Sequence, residues 1–161
     1  MDNSQLQEIQ RLYTEYFESS EKVRAEHKPF DGLFGFGKRI GDDPCHYVFS
    51  DRLEEALNAA ASENLSSRDV SSLLNYIYEE PSSHKEKLEY WMLVAVHKHT
   101  DILIPFLSKE DAAPIARRYA ELYPKNRRLP VQVALIKHLF RQAGIREKKG
   151  LSGIFSKHKG A

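Results

Sequence analysis

The chain holds one cysteine among its 161 residues. A single thiol cannot close an internal disulfide, so the fold has to rest on its own core. It also fits a reducing compartment, and a cytoplasmic location is the expectation. No stretch comes near the roughly 20 apolar residues that a membrane span requires. The longest near-apolar run, Tyr90 to Val96, is far too short. The first ten residues, MDNSQLQEIQ, have neither a basic region nor an apolar run, and so are not expected to act as a signal peptide. A marked excess of either charge is missing too. The 24 basic and 23 acidic residues leave a formal charge of +1, so any attraction to an anionic partner has to come from a local patch. Runs of strictly alternating apolar and polar residues are missing, which argues against a sheet.

What is present is helical periodicity. Leu6, Ile9, Tyr13, Tyr16 and Val23 form one stripe, predicting a helix from about residue 4 to about 26 that stops before Pro29. Asp43-Pro44 reads as an N-cap followed by proline at the first helical position. Val48, Leu53, Leu57, Ala60 and Ala61 continue that helix to Asn64. Ser66 with Asp69 opens the next, whose face is Val70, Leu73, Leu74, Ile77 and Tyr78, with Pro81 as a break. Ser83 with Glu86 is expected to cap a fourth helix. That helix is apolar on most sides through Leu88, Trp91, Met92 and Ala95, and this places it at the centre. His97 and His99 fall on nearly opposite faces of it. A short turn follows from Ile102 to Leu107, held short by Pro105. Ser108 with Asp111 then caps a fifth helix that Pro124 ends, and Leu129-Pro130 opens a sixth that Gly144 closes. In this last helix Val131, Leu135, His138 and Leu139 are read as facing inward.

The reading is therefore all-α: an irregular bundle, or a short right-handed array, of five to seven antiparallel helices. Residues 1–144 form a single helical domain, with a long Gly/Phe-rich loop (28–43) between the first and second helices. Residues 145–161 form a flexible basic tail. At this length a chain buries roughly 68–70% of its unfolded surface without needing a metal.

The segment PFDGLFGFGKRIGDDPCHY, from Pro29 to Tyr47, stands apart. It holds four of the eight glycines, three phenylalanines, the cysteine and an adjacent histidine. A long irregular insert in a compact helical domain is usually functional or disordered, and its aromatics argue against disorder. It is not a phosphate loop: the glycine spacing is wrong, no strand precedes it and no Gly-Lys-Ser/Thr follows. Aromatic and arginine side chains are favoured binding anchors, so Phe34, Phe36, Lys38 and Arg39 are the candidate contact residues. A second constellation, Asp43, Cys45 and His46 with His27 and Asp31 upstream, carries thiolate, imidazole and carboxylate donors. Its spacing matches no zinc pattern, and adjacent Cys45 and His46 point about 100° apart on a helix. A cysteine in a first helical turn has a lowered thiol pKa where it is exposed.

Two basic clusters stand out. Arg117, Arg118, Lys125, Arg127 and Arg128 surround Tyr123, and the tail from Ile145 carries five basic residues against Glu147. No complete catalytic constellation, kinase set or EF-hand is present. The expected function is thus a non-enzymatic, cytoplasmic interaction domain whose partner is another protein, with no cofactor. The alternatives are a metal- or thiol-dependent enzyme centred on Asp43, Cys45 and His46, and weak contact of the tail with an anionic surface. Nucleic acid ranks last, because it needs a contiguous basic face.

Overall fold

A computed structural model of the chain describes residues 4–26, 44–84 and 90–147. Six α-helices account for most of them: α1 (Ser4–Glu26), α2 (Pro44–Ser62), α3 (Ser67–Ser83), α4 (Tyr90–His99), α5 (Lys109–Leu122) and α6 (Pro130–Ala143). Thr100–Phe106 and Lys125–Arg127 are 3-10 segments, and no strand occurs among the described residues. None of these helices is long and apolar enough to cross a membrane.

The helix ends follow the local chemistry of the chain. Ser66 accepts a hydrogen bond from the Asp69 backbone N–H at 3.2 Å, and Ser108 does the same for Asp111 at 3.1 Å. The Asp111 carboxylate accepts from the Ser67 and Ser108 hydroxyls, joining the starts of α3 and α5; these two bonds hold its pKa below the usual carboxylate range. Asn64 takes a left-handed φ of 26° just beyond α2. Gly144 takes φ 66° after α6, where its N–H and that of Ile145 return to the Arg141 and Phe140 carbonyls in a Schellman turn. Ile145 then packs on the core, and Glu147 pairs with Arg128 at 2.6 Å, so the folded body extends past Gly144.

Pro81 does not break α3. The helix runs on to Ser83, with Pro81 buried in its last turn. Proline lacks the N–H that would bond the carbonyl four residues back, which here belongs to Ile77. The Tyr13 hydroxyl, brought in by α1, donates to that carbonyl at 2.9 Å. The Tyr123 hydroxyl donates to the next carbonyl, of Tyr78, at 3.0 Å. A tyrosine from a distant element thus replaces the missing ladder bond at Ile77, and a second adds a bond to the Tyr78 carbonyl. Ser83 is the last residue of α3 and donates its hydroxyl to the Glu80 carbonyl at 2.7 Å; Glu86, its expected capping partner, and Leu88 lie outside the described residues.

Helix pairing interleaves the chain. α1 packs on α2, α2 on α4, α4 on α6, α6 on α5, α5 on α3, and α3 back on α1. That closed circuit replaces the neighbour-to-neighbour stacking of a repeat array. Inside it lies the 3-10 segment Thr100–Phe106, touching α2, α3, α4 and α6. Leu103 and Ile104 are fully buried there while Ile102 and Phe106 are exposed, so the expected turn is anchored in the core by part of its side chains. α4 holds Met92, Ala95 and Val96 in the interior as its all-round apolarity implied.

Candidate functional site

The first two turns of α2 form a ridge between two depressions. Cys45 is half-buried and lines a cleft of about 250 Å³ against α1, with Leu12, Tyr16, Val48 and Phe49 on its apolar wall. His46 is buried and lines the other depression, about 230 Å³, between α2 and α4. Its ring lies 3.9 Å from that of Tyr47. The cysteine and the histidine therefore open onto opposite flanks of one helix and share no common point, as adjacent positions on a helix dictate. On the crest, Tyr47 is 61% exposed and Val48 60%, the most exposed large apolar side chains among the described residues. His27, Asp31, Phe34, Phe36, Lys38, Arg39 and Asp43 lie outside the described residues. Among the described residues, no three His, Cys, Asp or Glu side chains gather as a metal cage.

A constellation that the sequence did not reveal lies one turn further along the α2–α4 seam. Ser50 Oγ stands 3.0 Å from His99 Nε2. Glu54 Oε2 lies 3.8 Å from the other ring nitrogen, Nδ1. Ser50 and Glu54 are four residues apart, hence on one face of α2, and the crossing of α2 with α4 brings His99 against both. The carboxylate on the Nδ1 side favours the tautomer that keeps its proton there. Nε2 is then the acceptor of the Ser50 hydroxyl hydrogen. Burial lowers the His99 pKa, and the nearby Glu54 charge partly opposes that. Ser50 opens onto the 230 Å³ depression, which Asp51 and Lys98 also line.

Two residues earlier, His97 sits in a different setting. It is 1% exposed, within a cluster of Tyr78, Tyr119 and Tyr123. The Leu129 backbone N–H donates to Gln132 Oε1 at 2.9 Å, which fixes the amide orientation and leaves Gln132 Nε2 to donate to His97 Nε2 at 3.2 Å. The His97 proton must then be on Nδ1, donating to the Tyr119 hydroxyl oxygen at 2.9 Å. Burial drives the His97 pKa down to about 3. The same burial raises the pKa values of Tyr78, Tyr119 and Tyr123. Both His97 nitrogens are committed, so this is a structural histidine.

His138, expected inside, is half-buried at the edge of a broader groove of about 640 Å³ between α4 and α6, where its Nδ1 meets Asp101 Oδ1 at 2.6 Å. Lys98, Lys137 and Arg141 border the same groove. The basic cluster near Tyr123 is divided. Arg118 pairs with Glu79 and Glu121, while Arg128 is buried against Glu147 and donates to the Tyr123 carbonyl at 2.7 Å.

No family model, curated protein or solved structure matches this chain, so the site stands on its own geometry.

Proposed function

We propose that the protein is a cytoplasmic interaction domain that docks another protein against the start of α2. The observation that carries this is the adjacent exposed pair Tyr47 and Val48, standing between two depressions. Exposed large apolar side chains that adjoin concave, partly apolar surface are the usual make-up of a protein contact. The ridge follows directly on the segment holding Phe34, Phe36, Lys38 and Arg39 in sequence, so anchors of both kinds enter one proposed interface. Lys98 lines both the α2–α4 depression and the α4–α6 groove, which extends the concave surface along one side of the molecule.

The test compares partner capture by the immobilised full chain with that by Tyr47→Ser/Val48→Ser and by Phe34→Ala/Phe36→Ala. Both double variants are expected to lose a stoichiometric partner that the parent retains, with melting temperatures nearly unchanged. Equal retention by all three chains refutes the reading.

A further inference from the structure

We propose that Ser50 is an activated nucleophile and His99 its general base, in a site between α2 and α4 that accepts small carboxylic esters or thioesters. The inference stands independently of the docking role above, because it rests on Ser50, His99 and Glu54 rather than on the apolar crest.

Three observations carry it. The hydroxyl and the imidazole are within hydrogen-bond distance, at 3.0 Å. The opposite ring nitrogen faces a carboxylate from a third residue, at 3.8 Å. Nucleophile, base and an orienting carboxylate are the components by which serine acyl transfer is recognised on unrelated folds, and the contacts are often looser without substrate. The third observation is access. The His97 cluster also joins a hydroxyl to an imidazole, but although His97 borders the α4–α6 groove its hydroxyl partner Tyr119 is 1% exposed, whereas Ser50 borders a depression. At about 230 Å³ that depression lies below the usual range for drug-sized ligands, which restricts the acyl group to a few carbons.

In the step, Ser50 Oγ forms a bond to the acyl carbon while its proton passes to His99 Nε2. The tetrahedral adduct expels the alcohol or thiol, which takes that proton. Water, deprotonated by the same nitrogen, then releases the carboxylic acid and restores the serine. Glu54 is a positioning residue: its charge, 3.8 Å from Nδ1, favours the tautomer protonated there and offsets the imidazolium charge. Ser50 lies within α2, where its backbone N–H belongs to the helix ladder, so the developing oxyanion needs a side-chain partner. Lys98 carries the only fixed positive charge among the described residues lining the depression. The charged groups facing the ring are Glu54 and Asp51 from α2, and Lys98 on its own helix.

The test treats the full chain with an alkyl fluorophosphonate and reads intact mass and modified peptide. The Oγ–P bond forms, the P–F bond breaks, fluoride leaves and the proton goes to His99. One adduct on Ser50 is expected, absent in Ser50→Ala and slowed about 100-fold or more in His99→Gln. Lys98→Met should also slow it. Glu54→Gln should keep the same labelled residue but move the midpoint of the rate–pH profile downward. With p-nitrophenyl acetate, a stoichiometric nitrophenolate burst should appear in the parent chain and not in Ser50→Ala. No adduct on Ser50, a His99→Gln rate equal to the parent, or no burst above Ser50→Ala overturns the proposal. Should His99→Gln fail to fold, the parent chain still decides: a labelling rate flat from pH 4 to pH 8 rules out an imidazole base.

Discussion

His97 and His99 are separated by one residue and live in different chemistry. Around His97 every partner is interior, both ring nitrogens are committed and the pKa falls to about 3. Around His99 the imidazole is also largely covered, but its serine partner borders open space. A helix turns by about 100° per residue, so a two-residue step carries a side chain to the opposite face. The lesson is that one short helix, laid through the middle of a bundle, supplies a histidine with both ring nitrogens committed on one side and a histidine bonded to a pocket-lining serine on the other. What separates their roles is where the hydrogen-bonded hydroxyl leads.

The largest expected break in that contrast is His97→Ala. It opens a cavity and strands Tyr119 and Gln132 without their buried partner, a loss of roughly 3–5 kcal/mol. His99→Ala should cost well under half as much, and urea unfolding of the two variants measures the gap. The acid dependence sharpens the comparison next. In the unfolded chain His97 takes a proton near pH 6.5, whereas in the folded chain it waits until about pH 3. The unfolded state binds the extra proton between those values. Stability from this source is therefore intact above pH 6.5 and declines by about 1.4 kcal/mol per pH unit toward pH 3. Between pH 6.5 and 5 the parent should lose about 2 kcal/mol more than His97→Gln, read from urea midpoints. Equal slopes would show that water reaches the ring.

Smaller effects belong to single hydroxyls. Tyr13→Phe leaves the Ile77 carbonyl without a donor inside the core and should cost about 1–3 kcal/mol. Pro81→Ala restores an N–H for that carbonyl, so the penalty of Tyr13→Phe should shrink in the Pro81→Ala background, a double-mutant cycle with a defined sign. Smallest of all is Ser50→Ala, expected below about 1 kcal/mol because the depression lets water take the place of the hydroxyl. A thermal shift as large as that of Tyr13→Phe would place Ser50 on the His97 side of the comparison.

Much of the fold was legible because its signals are local. Ser66 with Asp69, Ser108 with Asp111, Pro130 at the start of α6 and Gly144 at its end each act within a few residues, and each is found where its chemistry placed it. Pro81 was misread for the opposite reason. What lets it remain helical is a hydroxyl 64 residues away in sequence, which no local pattern reports. The stretch from Ile102 to Leu107 reads as a short turn because Pro105 forbids a long helix. That Leu103 and Ile104 are buried depends on the helices packed against them. The site was half legible. His46 was singled out by composition and lines a depression, but Ser50 and His99 lie 49 residues apart and meet only because α2 crosses α4. The divergence of Cys45 and His46 was legible, because neighbours on a helix point about 100° apart.

The interleaved circuit has a consequence for the chain as a physical object. A cut in the stretch between α3 and α4 yields one piece with α1, α2 and α3, and another with α4, α5 and α6. The seams α2–α4 and α3–α5 then both run between the pieces, and the 3-10 segment Thr100–Phe106 of the second piece touches α2 and α3 of the first. Neither piece carries a complete interior alone, yet each presents the surface the other lacks. Mixed together, they should reassemble into one body, much as a severed ring closes again when its two arcs are brought end to end.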